Sequence, residues 1–305
     1  MSRRELRLGY ACVNTRLPSS ARTTRLANAT PGRLRELIAR NLDALEAILL
    51  WNEQHGIEVF RLTSNLIPFG SHPVNTLAWW DEFAERFSEL ESLISRSRAR
   101  LSTHPGQYTV LSSLNPAVVE SASAELEYHA RLLEALGLDR SHKIVVHVGS
   151  GAADPRATRD RLAAALERLT SGARDRLVLE NDERWPLDAV FELAAPLGLP
   201  VVFDAFHHQL APSPEHHDVR EATLAAAETW RPADGRPEVH FSTQDSAKRM
   251  GAHAQTVDLD ALAGFVAAVG DLPLDCILEV KDKEQSVLRA RDRLRSPGWP
   301  VPGAA

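Results

Sequence analysis

The sequence predicts a single α/β domain in which eight parallel strands, each followed by a helix, close into a (β/α)8 barrel. Short aliphatic runs alternate with amphipathic stretches of helical period along the whole chain. The length of 305 residues suits one large barrel. No linker, repeat or low-complexity segment divides the sequence, so we expect residues 1–305 to form one TIM-barrel catalytic domain. An open, doubly wound sheet is the structural alternative.

The strands are predicted where four to eight mostly apolar residues stand between polar or turn-forming segments. Each run is too short for a typical helix, and the runs are spaced along the chain as successive βα units require. The predicted strands are Leu6–Val13, Val59–Thr63, Arg100–His104, Lys143–Val148, Leu177–Glu180, Pro200–Asp204, Glu238–Ser242 and Cys276–Val280.

The helices are predicted where apolar residues recur with a period of about 3.6 between these runs. Several begin with proline near the first turn, as at Asn115-Pro116 and Asp154-Pro155. The predicted helices are Leu34–Trp51, Ala117–Leu136, Arg156–Leu169, Leu187–Ala195, Val219–Thr229, Leu259–Val269 and Glu284–Leu294.

The composition excludes several classes of protein. A hydrophobic fraction of 44% and a net charge of −6 argue against disorder. No apolar run approaches the roughly 20 residues of a membrane span, and no signal peptide precedes the first strand, so we expect a cytoplasmic protein. Cys12 and Cys276 are isolated and are interpreted as buried thiols. Residues 1–40 carry a net charge of +7, which indicates either a basic binding face or solvated helix-surface arginines.

Histidine, glutamate and aspartate side chains stand at or just after the carboxyl ends of the predicted strands. In a (β/α)8 barrel these ends converge on the face that holds active sites, so residues far apart in sequence become neighbours. The residues are His72, His104, His147, Glu180, Asp204, His207, His240, His253 and Glu279.

Burying several imidazoles together with three carboxylates is costly unless counter-charge is present, and divalent cations would supply it. Mixed nitrogen and oxygen ligands suit manganese, zinc or ferrous iron. Apart from His72, which lies in a loop, eight candidate ligands remain. They exceed the needs of one ion, so we infer two or three ions with a bridging carboxylate. Such multi-ion sites serve phosphodiester and phosphomonoester cleavage.

The motifs around these residues occur in order from residue 8 to residue 283. They are Leu8–Asn14, Phe60–Pro68, Ser71–Pro73, Ser102–Tyr108, Val146–His147, Leu179–Asp182, Phe203–His208, Val239–Ser242 and Leu278–Lys283. Jointly they resemble the UV damage endonucleases and, more distantly, the endonuclease IV type of abasic-site nucleases. The resemblance implies a metal-dependent DNA repair enzyme that nicks the backbone immediately 5′ of UV photoproducts and other distorting lesions, leaving a 3′-hydroxyl and a 5′-phosphate.

The resemblance also implies a metal pattern of three ions, with manganese favoured. His104, His147 and Glu180 would hold one ion, Glu180, Asp204, His240 and Glu279 a second, and His207 and His253 a third. It implies damaged double-stranded DNA as partner, with no membrane and no organic cofactor, and an enzyme that acts as a monomer, associated with the nucleoid while on DNA.

Four further residues match positions that contact DNA in this family. Gln107 and Tyr108 match the pair that probes the duplex opposite the lesion, and Tyr10 and Asn14 match contacts to the flipped dinucleotide. An extruded base loses stacking and pairing, and aromatic and amide side chains can replace both.

Two other candidates are less specific. His72 lies in a loop and either contacts the scissile phosphate or packs within the loop. Lys281 either contacts phosphate or forms an ion pair with Asp282 or Glu284.

Glu238 departs from the family pattern. Members of the family carry at this position a lysine thought to be carboxylated, which places a long carboxylate at the metals. Glutamate is a permanent carboxylate on a shorter side chain. We expect Glu238 to lie near the metals at the barrel mouth and to ligate or orient the third ion.

Two other functions remain open. A sugar isomerase or epimerase of the xylose-isomerase-like barrel type also uses Glu, Asp, His and a divalent metal, although the extra histidines and the Gln107-Tyr108 pair argue against it. A non-catalytic lesion-binding protein would retain the fold, but the nearly complete ligand set argues against lost catalysis.

Overall fold

The structure is a computed structural model that describes residues 6–149 and 154–295. Eight parallel strands form a closed barrel in sequence order, which confirms the predicted fold class. The strands are β1 (Arg7–Cys12), β2 (Val59–Leu62), β3 (Arg100–Thr103), β4 (Ile144–His147), β5 (Leu177–Glu180), β6 (Val201–Asp204), β7 (Glu238–Phe241) and β8 (Asp275–Leu278). Each predicted strand is present, with its ends shifted by one or two residues at most.

Helices follow the strands throughout the described chain. Those with proline at the first turn begin as expected, since Asn115 and Asp154 accept backbone N–H groups as N-caps. The helices are α1 (Pro31–His55), α2 (Trp79–Glu82), α3 (Ala84–Ser97), α4 (Pro116–Ala135), α5 (Pro155–Leu166), α6 (Ser171–Arg174), α7 (Leu187–Leu197), α8 (Ala205–Leu210), α9 (Val219–Glu228), α10 (Leu259–Val269) and α11 (Glu284–Arg295).

The described chain divides into two compact units. The carboxyl-terminal unit comprises residues 6–11 and 178–295, and the amino-terminal unit comprises residues 12–177 without the gap at 150–153. In the carboxyl-terminal unit β6 pairs with β7, β7 with β8, and β8 with β1. In the amino-terminal unit β2 pairs with β3, and β3 with β4.

The register of the carboxyl-terminal unit determines which side chains meet. Asp204 of β6 stands opposite His240 of β7. Because side chains alternate along a strand, Glu238 lies on the same face as His240, two positions toward the amino end of β7. All four residues of β7 are buried, as expected of a parallel strand covered on both faces.

The structure differs from the sequence prediction at a few points. Helices α2 and α3 follow β2, where the barrel pattern requires a helix but no bounds were predicted, and the short α8 begins directly after β6. Cys276 is buried as predicted, but Cys12 is partly exposed and has a positive φ of 74°. In the described part of the chain no helix is long and apolar enough to cross a membrane.

Candidate metal centre

A cluster of carboxylates around one imidazole lies in the carboxyl-terminal unit. Glu180 ends β5, Asp204 ends β6, His240 lies near the end of β7, and Glu279 follows β8. Each offers a ligand atom, and these atoms all lie within 4.8 Å of one another. His240 Nδ1 is 2.5 Å from Glu180 Oε1 and 3.5 Å from Glu279 Oε1. Oxygen and nitrogen donors at this spacing suit a divalent cation.

Asp204 uses its two carboxylate oxygens differently. Oδ1 accepts the backbone N–H of His207 at 2.7 Å and so caps the amino end of α8. Oδ2 is buried, lies 3.9 Å from His240 Nδ1 and makes no hydrogen bond with the described protein atoms. A buried carboxylate oxygen in this state is costly unless a cation compensates it, so Asp204 fits a metal ligand.

Asn181 holds the backbone of Asp204 in place. Its side-chain amide donates to the Asp204 carbonyl at 3.1 Å, and its amide oxygen accepts the Asp204 N–H at 2.8 Å. Asn181 belongs to the motif Leu179–Asp182, but no role was predicted for it. Its position directly after the ligand Glu180 was the signal that could have revealed it.

The cluster perturbs the titration of its members. Burial raises the pKa of Asp204 above its usual value, and the negative charges of Glu180 and Glu279 raise it further. Burial disfavours the His207 imidazolium, but Asp204 and the other neighbouring carboxylates outweigh it and raise the pKa of His207 to about 9. Neighbouring carboxylates contribute to both shifts, and a bound cation would compensate their negative charge.

His207 and His253 approach each other beside this cluster. Their ring centroids are 6.1 Å apart and their planes are perpendicular. His207 Nδ1 lies 3.2 Å from Glu183 Oε1, and His253 Nε2 lies 3.7 Å from Glu279 Oε2. Glu183 was not identified from the sequence, because it stands in a loop after β5 and not at the strand end.

Glu238 lies one layer deeper than the barrel mouth. Its side chain is 1% exposed, and its Oε1 is 3.1 Å from His240 Nε2, the ring nitrogen opposite the one that faces Glu180. It is not among the atoms of the carboxylate cluster. Glu238 therefore contacts a candidate ligand from behind. We expected Glu238 at the mouth of the barrel, but it is the first residue of β7 and its side chain lies deeper in the barrel.

The amino-terminal unit supplies two strand-end histidines. The rings of His104 and His147 lie 5.0 Å apart between centroids, tilted by 45°. His104 Nδ1 is 3.1 Å from the Pro105 carbonyl oxygen, which can only accept, so Nδ1 carries the proton and Nε2 is the nitrogen that can bind a cation.

His72 and the Gln107-Tyr108 pair also lie in this unit and are exposed. His72 Nδ1 accepts the backbone N–H of Val74 at 3.0 Å, so the proton of a neutral His72 is on Nε2. Tyr108 is 75% exposed, and its ring lies over Gly106, where a Cβ would come within 2.5 Å of it. A side chain at position 106 would therefore displace the Tyr108 ring from this place.

Tyr10 and Asn14 are buried, with exposures of 0% and 2%. Asn14 Oδ1 accepts the Arg16 N–H at 2.9 Å. The direct contact with a flipped dinucleotide that the sequence suggests is not available in this conformation, because neither side chain reaches the surface.

Several basic residues singled out in the sequence have defined surroundings. Lys281 is exposed and forms no ion pair with any described residue, and Asp282 pairs instead with Arg289. In the arginine-rich stretch, Arg33 and Arg40 both pair with Glu36, and Arg35 pairs with Glu82. These pairs favour the helix-surface interpretation for that part of the stretch. Arg3 and Arg4 lie outside the described residues.

The fold and this cluster define a (β/α)8 barrel with a candidate metal centre at the strand ends. The chain matches the UV-endonuclease UvdE family over residues 6–297 and belongs to that family. It is 32% identical to a UV DNA damage endonuclease of Clostridium perfringens, over 95% of this chain and 71% of the relative. It is 33% identical to a putative UV-damage endonuclease of Acanthamoeba polyphaga mimivirus, over 95% and 91%.

Solved structures agree with this assignment. The crystal structure of SacUVDE superposes with a TM-score of 0.90 at 33% identity, covering 97% of this chain and all of that one. Endonuclease IV from Thermus thermophilus gives a TM-score of 0.57 at 18% identity over 94% and 98%. The Escherichia coli 3-keto-D-glucoside 4-epimerase gives 0.56 at 13% identity over 95% and 97%. The last two share the fold alone.

Proposed function

We propose that this protein is a metal-dependent DNA repair endonuclease. It nicks the phosphodiester backbone immediately 5′ of UV photoproducts and other distorting lesions and leaves a 3′-hydroxyl and a 5′-phosphate. The observation that carries the proposal is the buried cluster around His240 in a chain of the UV-endonuclease family. A cluster of three carboxylates and an imidazole fits divalent cations, and the buried Asp204 Oδ2 makes no hydrogen bond with the described protein atoms.

Eight residues would hold the ions, in the pattern that the family resemblance implies. Bound cations there would activate water and stabilise charge on the scissile phosphate. Manganese is favoured, and the donor types also suit zinc or iron. The proposed groups are His104, His147 and Glu180; Glu180, Asp204, His240 and Glu279; and His207 and His253.

Two further residues would act on the phosphate. The neutral His72 ring has its proton on Nε2 and can donate it to a phosphate oxygen. Lys281 is exposed without an ion-pair partner in the described chain, so its ammonium group is available to the DNA backbone. Glu238 would position His240, through the bond to Nε2.

Recognition of the lesion would depend on loss of stacking and not on sequence. A base-pair step whose stacking is weakened by a lesion costs a few kcal/mol less to open than an intact step. Tyr108 offers an exposed stacking face, and Gln107 offers an amide that makes no hydrogen bond with described residues. Tyr10 and Asn14 are buried, so they would contact the extruded dinucleotide only after a conformational change.

The decisive experiment is nicking of UV-irradiated supercoiled plasmid with manganese, with unirradiated plasmid as control. We expect nicks only in irradiated DNA, with ends mapped to the 5′ side of each photoproduct on a sequencing gel. Binding without nicking would indicate a lesion-binding protein. Epimerisation of a ketose without nicking would indicate the sugar-modifying alternative. We also expect a monomer that acts in the cytoplasm on nucleoid DNA.

A further inference from the structure

We infer that the loop between β7 and α10 carries a second DNA-contacting element, formed by Lys248, Arg249 and Met250. This inference rests on the proposed function, since it concerns how the same duplex is held. We call these three residues the basic-Met tip. Arg249 would bind a phosphate, and the Met250 side chain would pack against bases at the distorted step.

The loop is held rigidly from within. The Gln244 side chain donates to the carbonyls of Asp245 at 2.8 Å and Arg249 at 3.0 Å, and accepts the Gly251 N–H at 2.8 Å. Asp245 accepts the Ala247 N–H at 3.1 Å. Gly251 has a φ of 83°, which favours glycine at this turn. Because these bonds already hold the loop backbone, contact with DNA needs to order only the side chains of the tip.

Asp245 also connects the loop to its own base. It accepts from the Gln255 side chain at 3.2 Å and pairs with Lys248 Nζ at 3.3 Å. Gln244 and His253 form an isolated antiparallel bridge. The same loop therefore fixes a candidate metal ligand, His253, and the basic-Met tip.

The basic-Met tip is exposed and places an apolar side chain beside basic ones. Met250 is 80% exposed, although methionine is a residue type that is usually buried. Beside it, the Arg249 side chain makes no hydrogen bond or ion pair with any described residue. An apolar side chain next to a free guanidinium fits DNA, where phosphates border the apolar faces of the bases.

The tip lies close enough to the metal centre to contact the same duplex. His253 is the third residue after Met250, so their Cα atoms lie at most about 10.5 Å apart. That distance corresponds to about three base-pair steps of duplex at 3.4 Å each. A strand with its scissile phosphate at the metals would then pass the basic-Met tip within a few nucleotides.

Methionine suits this position because it is unbranched and adapts to irregular surfaces. Apolar side chains that enter between base steps act best where stacking is already weak. Met250 would thus favour damaged over intact duplex, whereas Arg249 would strengthen binding to both.

The test compares binding of the full chain to a duplex with one cyclobutane dimer and to the same duplex intact, in EDTA so that no strand is cut. Met250→Ala should weaken binding to the damaged duplex about tenfold and to the intact duplex much less. Met250→Leu should retain wild-type affinity. Arg249→Ala should weaken binding to both and lower the slope of log affinity against log salt by about 0.9. Leu224→Ala, at an exposed leucine of α9, is the matched control.

The outcomes separate the two proposals. A wild-type protein that does not prefer the damaged duplex overturns the proposed function. A wild-type protein that does prefer it, with Met250→Ala and Arg249→Ala binding like Leu224→Ala, overturns the role of the tip. Equal losses on damaged and intact duplex in Met250→Ala overturn the packing of methionine at the lesion.

Discussion

Glu238 and His240 stand on the same face of β7, with Glu238 Oε1 3.1 Å from His240 Nε2 and Glu180 Oε1 2.5 Å from His240 Nδ1. A carboxylate only accepts, and each ring nitrogen of His240 faces one. With a cation held by the carboxylates on the Nδ1 side, Nδ1 would be the ligating nitrogen and Nε2 would donate its proton to Glu238. Metal-binding histidines commonly have such a partner behind them, which fixes the ring and its tautomer. The glutamate thus supports a candidate ligand from the side of the ring that faces away from the carboxylate cluster.

Glu238→Gln should lower the affinity for manganese by about 10- to 100-fold, because the negative charge behind His240 is lost while the shape is kept. Isothermal titration calorimetry measures the affinity, and elemental analysis measures the metal stoichiometry. Glu85→Gln, at an exposed position of α3, should bind metal normally. Bicarbonate should not change the nicking rate of the wild-type protein, because glutamate at position 238 needs no carboxylation. Unchanged manganese affinity in Glu238→Gln would show that this charge does not support the site.

Glu180→Gln should reduce nicking of irradiated plasmid by roughly 10³-fold or more, since it removes the carboxylate shared by two proposed ions. Binding to damaged DNA should largely persist, because Glu180 is 1% exposed and lies below the surface that a duplex would contact. Plasmid nicking and gel-shift assays measure the two properties. Near-normal nicking would remove Glu180 from the proposed centre.

Tyr108→Ala should reduce the preference for damaged over intact duplex by about tenfold, as expected for the loss of one aromatic stacking contact. The metal content should not change. Tyr108→Phe should behave like wild type, since the ring is retained. Leu26→Ala, at another exposed apolar residue, is the control for a general surface effect. An unaltered preference in Tyr108→Ala would exclude the probing role.

Metal binding at His207 should become stronger as the pH rises. The pKa of His207 is raised to about 9, so a cation must displace a proton from this imidazole at neutral pH. Affinity for that ion should therefore rise about tenfold per pH unit until pH reaches about 9, and binding should release one proton from His207. Calorimetry in buffers of different ionisation enthalpy counts the protons. His207→Gln should abolish this release, and a wild-type protein without it would contradict the assignment.

The sequence predicted all eight strands because parallel barrel strands are short apolar runs with polar residues at their carboxyl ends. It did not predict α8, because Asp204 serves at once as the last residue of β6 and as the N-cap of the next helix. The depth of Glu238 was misjudged even though the predicted strand also begins at this residue. The expectation followed the metal pattern of the resemblance and not the position of Glu238 along the strand, two residues before His240.

The two oxygens of Asp204 link the integrity of a helix to the chemistry of the site. Substitution by alanine would remove a cap worth about 1 kcal/mol and displace His207, so its effect could not be assigned to ligation. Asparagine still caps a helix but carries no charge, and it therefore separates the two functions. A substitution at Asp204 thus changes both the helix cap and the candidate metal site. Variants with an altered ion preference would arise more readily at His253, which caps no helix of the described chain.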